Sequence, residues 1–306
     1  MAEGVREKYI SPEEEKKIED GKNPGLGIIE LHEQGIDGSG VNVAIIDQKL
    51  LLGHREYKNS LAGYSEYGEA KYEQTSMHGP AVASLLVGKS CGVAPEAKLT
   101  YMAVPSGERN FKWYVRALTD IIDANKVAKP SGKIRIVSCS IGYDTENPEP
   151  SLDQWIQTKK DAERAGIIVV DTSDDFKFDF LGGGSLDKNN IDGYDFALFL
   201  KERNTSDWKP HGIIVPSDYR TMAGRNGENE YMYEEKGGAS WSVPYLAGIF
   251  ALALQVNPEL TQEELFRVAT ETAQTNSKGL KIINPKGIIE KIKKNEQNKK
   301  YNSEGN

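Results

Sequence analysis

Strand-like and helix-like patterns alternate along the first half of the chain. Residues 41–47, 134–142 and 167–170 are apolar runs of strand length, which is typical of strands covered on both faces. The segments 111–127 and 152–165, which lie between these runs, carry apolar residues at helical spacing. Strands that alternate with helices form parallel sheets with right-handed crossovers. The sequence therefore predicts an α/β fold, a three-layer, doubly wound, mostly parallel sheet with helices on both faces.

The organisation of the chain indicates one main domain. No internal repeat and no interdomain linker is visible, so we expect a single domain over residues 25–290. A polar N-terminal arm (1–24) and a Lys- and Asn-rich C-terminal tail (291–306) flank it, and both are expected to be solvated and frayed. Residues 171–212 combine aspartates and glycines without a clear period, and no element is predicted there before the short strand that ends at Pro216.

Charge and composition exclude several classes of protein. The formal net charge is −8, and an acidic surface repels phosphate, so we expect no nucleic-acid partner. No apolar run reaches the roughly 18 residues of a membrane span, so we expect no membrane partner. The charged N-terminus lacks the apolar region of a secretory signal, and Cys91 and Cys139 are expected to be buried thiols. These features favour a cytoplasmic protein that is a monomer or a small homo-oligomer.

Three polar residues stand beside predicted elements in positions that suit chemistry. Asp47 ends a buried strand, His78 precedes an apolar helix, and Ser240 follows a glycine pair before the apolar run Leu246–Leu254. Taken singly, each has a plainer interpretation as a capping or turn residue. Because sites in open parallel sheets form beyond the carboxyl ends of the strands, the three can also belong to one site.

Ser240 is predicted to stand at the N-terminus of a buried helix. Free backbone N–H groups and the helix dipole favour negative charge there, which is what attack on a carbonyl creates. Pro244 is expected in the first turn of that helix, where its missing N–H costs little.

The order Asp, His, Ser and the residues around it resemble the subtilisin-like serine peptidases, the subtilases. The family's GTSMAAP block around the serine is similar to GASWSVP here, and its HGTHVAG block is similar to HGPAVAS. The segments VNVAIID, GVAPEAKL and SCSIG also resemble family segments. The resemblance covers roughly residues 25–290, and the layout is most similar to the intracellular subtilisins.

The resemblance implies a serine endopeptidase that acts on proteins or peptides through an acyl-enzyme on Ser240. His78 would be the general base, and Asp47 would fix the imidazole tautomer and stabilise the imidazolium. Ser140, Ile141 and Gly142 would bind an extended substrate as an added strand, with little demand on its sequence.

Two departures from the family pattern leave a second hypothesis open. Asp175 occupies the place of the family asparagine that binds the oxyanion, and an ionised carboxylate donates no hydrogen bond there. A protonated aspartate could donate, as in the acid-active sedolisins and a proprotein convertase, and a simple loop carboxylate is an equal alternative. Gln48 and Lys49 follow Asp47 where the family has Thr or Ser and then Gly. The alternative is therefore a catalytically attenuated subtilase that binds peptides or a regulatory partner without turnover.

No cofactor is predicted. The chain has no Cys or His cluster for zinc, and the loop 89–91 is shorter than the loop that holds calcium in many subtilases, so we expect that site to be missing. Calcium as a structural ion elsewhere stays open, since oxygen ligands are plentiful but no spacing identifies a site. The N-terminal arm could lie in the cleft and inhibit, but a frayed arm is the simpler expectation.

Overall fold

The computed structural model describes residues 11–107, 110–143, 147–172, 179–203 and 212–304, with the backbone alone over the last five of these. The strands are β1 Asn42–Asp47, β2 Leu61–Glu66, β3 Lys98–Ala103, β4 Ile134–Ser138, β5 Ile168–Val170, β6 Phe180–Gly184, β7 Asp195–Phe196, β8 Ile213–Pro216, β9 Arg220–Ala223, β10 Tyr231–Glu234, β11 Gln274–Thr275 and β12 Lys281–Ile282. The helices are α1 Pro12–Lys22, α2 Ile28–Glu33, α3 His78–Val87, α4 Lys112–Val127, α5 Leu152–Arg164, α6 Leu198–Arg203, α7 Ala239–Val256, α8 Gln262–Thr272 and α9 Pro285–Glu304.

A parallel sheet forms the middle layer of the fold. Its strand order is β2-β3-β1-β4-β5, and every neighbouring pair is parallel. Val43 and Ile45 pack into the core that includes α3 and α7, whereas Ala44 and Ile46 pack against α4 and α5. Because successive side chains of a strand point to opposite faces, β1 is covered on both sides. The three-layer α/β fold predicted from the sequence is confirmed.

A second sheet and a hairpin follow the parallel sheet along the chain. The second sheet has the order β11-β12-β8-β6-β7, with β8 parallel to both of its neighbours and antiparallel pairs at the two edges. Strands β9 and β10 pair antiparallel as a separate hairpin. Helix α7 contacts β4 and β5 of the first sheet and β6 and β8 of the second, so one buried helix supports both sheets.

Helix α7 is also long and apolar enough to cross a membrane by length and composition alone. However, 78% of its apolar window is buried inside the protein. The core helix of a globular fold satisfies the same criteria.

The two ends of the chain differ from the expectation of frayed segments. Residues 12–22 form α1, whose Ser11 and Glu14 make a reciprocal capping box, and α1 packs on the β9–β10 hairpin. Gly21 of α1 is buried, and a Cβ there would lie 2.2 Å from Thr221 Oγ1. The predicted tail from residue 291 is the second half of α9, where Ile292 is 1% exposed. Sparse apolar side chains on largely polar helices explain why composition alone suggested disorder.

A buried arginine joins three parts of the fold. Arg220 is 1% exposed, and its Nη1 donates to the carbonyls of Asn23 at 3.3 Å and Pro24 at 2.9 Å. Its Nη2 donates to the Cys91 carbonyl at 3.5 Å, and its guanidinium lies 5.6 Å from the ring centroid of Tyr245. One cation therefore links the segment before α2, the short turn after α3 and helix α7, and its charge is compensated by carbonyl dipoles and a π-face.

A substitution at Gly248 tests how tightly α7 packs against the turn after α3. A Cβ at this position would lie 2.5 Å from the Cβ of Val93. This is closer than van der Waals contact, and the Cβ of Val93 cannot rotate away. Such crowding costs about 1–3 kcal/mol, and the better helix propensity of alanine offsets at most about 1 kcal/mol of it. We expect Gly248→Ala to lower the free energy of unfolding measured with urea. Gly132→Ala, where a Cβ meets nothing within 4 Å, should cause no comparable loss; equal stability of the two variants would contradict this packing.

Candidate active site

Asp47 and His78 meet at the carboxyl edge of the parallel sheet. Asp47 is the last residue of β1 and is 3% exposed, and His78 is the first residue of α3. Their Oδ1 and Nδ1 atoms are 2.7 Å apart. An ionised carboxylate only accepts, so Nδ1 carries a proton and the Nε2 atom of the neutral ring is left as an acceptor. This is the arrangement that a general base requires.

The residues that follow Asp47 do support its carboxylate, although they depart from the family pattern. The Gln48 backbone N–H donates to Asp47 Oδ1 at 2.7 Å. The Gln48 carbonyl in turn accepts from the Tyr101 hydroxyl at 2.5 Å. The Gln48 backbone N–H therefore supports the carboxylate directly, and the buried Tyr101 phenol holds Gln48 in place, although the family's Thr or Ser is missing.

The environment of His78 favours its protonated form. Burial disfavours the imidazolium and by itself lowers the pKa of His78. The charge of Asp47, its hydrogen bond and the charge of Glu234 act in the opposite sense and prevail, so the pKa of His78 is raised above its usual value. An imidazole with a raised pKa accepts a proton more readily in the course of a reaction.

Ser240 is the second residue of α7 and is half-buried. The helix begins at Ala239 with Gly238 as its N-cap, so Ser240 lies in the first turn as predicted. Backbone N–H groups of a first turn have no partner within the helix. The Ser240 N–H is therefore available next to its own hydroxyl.

The predicted position of Pro244 is wrong. The helix begins earlier than expected, at Ala239, so Pro244 lies inside α7 rather than in its first turn. A proline inside a helix removes the hydrogen bond to the carbonyl four residues earlier, which is that of Ser240. The Ser140 hydroxyl donates to this carbonyl at 2.8 Å. Ser140 thus satisfies the group that Pro244 leaves open and holds the turn that carries Ser240.

The segment of Ser140, Ile141 and Gly142 lines a cavity with Asp47 and His78, and the cavity volume is about 190 Å³. The Ile141 carbonyl accepts from the Thr172 N–H at 3.2 Å, so the segment is held on one side by the chain that follows β5. Among the described residues, the Ser140 carbonyl and the Gly142 N–H make no backbone hydrogen bond. These two groups can pair with an extended chain laid along the cavity.

The structure brings most of the predicted site residues together. His78 lines the same cavity as Ser140, and Ser140 bonds to Ser240, so the three predicted catalytic residues lie around one place. Within the part of the chain that the structure describes, the Ser240 hydroxyl makes no hydrogen bond to His78. Asp175 lies outside the described residues.

Sequence reasoning missed two residues at this site. The ring of Trp241 lies 5.1 Å from the imidazole of His78, and the indole Nε1–H donates to Glu234 at 3.1 Å. The tryptophan lies in the GASWSVP block, where the family has methionine. This departure from the family motif could have identified Trp241 from the sequence. Glu234 had no such signal, because only the course of β10 brings it to the site.

No group of three or more His, Cys, Asp or Glu side chains suited to a metal ion occurs in the described parts of the chain. Calcium as a structural ion elsewhere stays open. The short loop 89–91 is bound by Arg220 through the Cys91 carbonyl.

Comparison with known proteins finds subtilases among the similar proteins. A family model described as the subtilase family matches residues 38–173, which include Asp47, His78 and Ser140 but not Ser240. The chain is 25% identical to neuroendocrine convertase 2 of Caenorhabditis elegans over 288 residues, which are 82% of this chain and 42% of that protein. It is 24% identical to subtilisin BL of Lederbergia lenta over 274 residues, which are 83% of this chain and 92% of that protein. The chain thus spans less than half the length of the convertase.

A solved structure supports the fold. The prenylagaramide maturation protease PagA aligns with a TM-score of 0.63 and 16% sequence identity, over 87% of this chain and 98% of that chain. At this identity the likeness concerns the fold alone.

The raised pKa of His78 predicts how the effect of Asp47→Asn on stability depends on pH. A raised folded-state pKa contributes stability that is fully present below the unfolded value, about 6.5, and is lost as the pH rises through the folded-state pKa. We expect Asp47→Asn to lower the free energy of unfolding more at about pH 5.5 than at about pH 9. Urea unfolding at both pH values measures this.

A His78→Gln background is the control, because the pH-dependent part of the loss should vanish there. A loss that is the same at both pH values in the parent background would contradict the charge interaction between the two side chains.

Proposed function

We propose that this chain, whose residues 38–173 match the model of the subtilase family, is a serine endopeptidase that hydrolyses peptide bonds of proteins through an acyl-enzyme on Ser240. The observation that carries this proposal is the 2.7 Å hydrogen bond between Asp47 and His78 beside the N-terminal turn of α7. A serine hydroxyl is a weak nucleophile at neutral pH and needs such a base.

In the first half of the proposed reaction, the Ser240 hydroxyl attacks the carbonyl carbon of the substrate, and its proton passes to Nε2 of His78. The Asp47 carboxylate stabilises the imidazolium that forms, through the bond to Nδ1. The bond from carbon to nitrogen then breaks, and His78 gives the proton to the leaving amine. In the second half, a water molecule attacks the acyl-enzyme with His78 again as base, and Ser240 is regenerated.

The described residues show no hydrogen bond between the Ser240 hydroxyl and His78, and this is compatible with the proposed reaction. Catalytic hydrogen bonds are often loose before the substrate binds and tighten in the reacting complex. Ser240 is half-buried, and within the described residues no other bond holds its side chain, so its hydroxyl is free to rotate about the Cα–Cβ bond.

The negative oxygen of the tetrahedral intermediate needs donors. We assign the Ser240 N–H as one donor, since it is in the first turn of α7 and lies beside the attacking hydroxyl. We assign Asp175 to the place of the second donor on the sequence resemblance, where it can donate only in its protonated form. This assignment would make the enzyme slow at neutral pH.

The substrate is proposed to lie extended along Ser140, Ile141 and Gly142. Within the described parts of the chain, the Ser140 carbonyl and the Gly142 N–H make no backbone hydrogen bond, which leaves them for main-chain pairing with a substrate of varied sequence. A Cβ on Gly142 would lie 2.5 Å from Thr172 Oγ1, so a larger residue at that position would force the Thr172 side chain to move. Broad acceptance of unfolded protein segments follows from this mode of binding.

The alternative, an attenuated subtilase that binds peptides or a partner without turnover, is favoured by the carboxylate at position 175. It predicts the same cavity and the same peptide binding but no acyl-enzyme. Location in the cytoplasm and a monomeric or small homo-oligomeric state stay predictions from the sequence.

Labelling by a fluorophosphonate probe decides between the two. We expect the folded parent protein to form a stable adduct, since the probe captures an activated serine. Ser240→Ala should lose the adduct while its circular dichroism is unchanged. Ser242→Ala is the matched control: its hydroxyl is buried and donates to the Val215 carbonyl at 3.0 Å, away from the reaction. Labelling that survives in Ser240→Ala, or is missing from the folded parent, would refute the proposal.

Asp175→Asn tests the oxyanion assignment. Replacing the carboxylate by an amide supplies a permanent donor, and one such donor is worth about 3–4 kcal/mol in kcat. We expect kcat/KM at neutral pH to rise, and the advantage over the parent to shrink as the pH falls and Asp175 becomes protonated. A pH series of kcat/KM for both proteins measures this, and equal values at neutral pH would remove Asp175 from the oxyanion site.

A further inference from the structure

Trp241, which the proposed reaction does not use, lies against His78, and Glu234 binds Trp241. Trp241 is 5% exposed, and its ring is tilted by 33° to the imidazole at a centroid distance of 5.1 Å. Its indole Nε1–H donates to Glu234 Oε2 at 3.1 Å. Trp241 follows Ser240 in α7 and Glu234 ends β10, so the contact connects the nucleophile's helix, the hairpin and the base.

We propose that Trp241 and Glu234 are a positioning pair for His78, in which the indole covers one face of the imidazole and the Glu234 carboxylate holds the indole in place and attracts the imidazolium. This inference rests on the proposed function of His78 as general base. It adds two residues that neither the family match over residues 38–173 nor the predicted triad includes.

The first part of this role is to fix the orientation of the His78 ring. The bond from Asp47 to Nδ1 fixes one edge of the imidazole but leaves the ring free to tilt about that bond. A flat, buried side chain against the face of the ring removes this freedom. A buried indole N–H needs an acceptor, and Glu234 supplies a charged one. The indole therefore has a defined orientation, which it imposes on the imidazole.

The second part of this role is to stabilise the protonated His78 ring by electrostatic attraction. The imidazolium that forms when His78 takes the proton is attracted to the π-face of Trp241 and to the carboxylate of Glu234. Among the described residues, Asp47 from β1 and Glu234 from β10 are charged groups that favour the protonated ring. Glu73 and Arg225 border the larger cavity beside His78, of about 850 Å³, but Glu73 is engaged by the N–H and hydroxyl of Ser106.

Stabilising the imidazolium has opposite effects on activity at low and at neutral pH. A base must be neutral in the free enzyme, so stabilising the imidazolium moves the acid limb of kcat/KM to higher pH. The same stabilisation strengthens His78 as a proton acceptor in the transition state. Glu234 is therefore expected to lower kcat/KM at low pH and to make His78 a stronger base at neutral pH.

The test is an NMR titration of the His78 imidazole, carried out in Ser240→Ala so that it does not depend on turnover. The chain has four histidines, and His78→Gln assigns the signal. We expect Glu234→Gln to lower the pKa of His78. Glu235→Gln is the matched control, since it removes the same charge from the next residue, whose carboxylate is exposed and 3.8 Å from Lys17 Nζ. No change with Glu234→Gln, or an equal change with Glu235→Gln, would overturn the electrostatic role.

Variants of Trp241 test the positioning role. Trp241→Phe keeps an aromatic face and loses the N–H, whereas Trp241→Leu loses both. We expect a loss of kcat with little change of KM that is larger for leucine than for phenylalanine, and an upfield ring-current contribution at the His78 ring protons that leucine removes. Unchanged His78 proton shifts in folded Trp241→Leu would overturn the contact. If the parent has no Ser240-dependent activity, the proposed function fails, but the titration and shift measurements still decide this inference.

Discussion

The hydrogen bond between Asp47 and His78 is the interaction on which the site depends. It joins the end of β1 to the start of α3, and it can form because both elements are held by apolar packing on two sides of the sheet. The same bond decides which imidazole nitrogen is free to accept a proton and raises the affinity of the ring for that proton. This one contact therefore sets the position of the base, the nitrogen that accepts the proton and the affinity of the ring for it.

The elements that the sequence predicted are those whose buried residues form a clear apolar pattern within one short segment. Strand β1 and helix α3 are continuous apolar runs, and a capping box at Thr261 opens α8. Strand β2 was missed because it is half-exposed and carries polar residues at both faces, so it has no apolar run. Helix α9 was missed beyond residue 290 because a few buried isoleucines are diluted by lysines and asparagines.

At the site, sequence motifs indicated Asp47, His78, Ser240 and the strand at Ser140, but not how they are held. The link from Ser140 to the Ser240 carbonyl depends on the location of Pro244 within α7, which required the true start of the helix. The contact of Trp241 with Glu234 depends on the hairpin, and no local pattern shows where a hairpin packs. Contacts between distant segments are set by tertiary packing, so they follow from coordinates rather than from periodicity.

The most direct test of the relay from Ser240 through His78 to Asp47 is to trap the covalent intermediate. The protein is mixed with a p-nitrophenyl ester, quenched in acid after a short time, and analysed by intact mass and peptide mapping, while p-nitrophenol release is followed in parallel. The predicted result is a stoichiometric burst of p-nitrophenol and an acyl group on the peptide that contains Ser240. Folded protein that releases no burst and carries no acyl group on that peptide would contradict it.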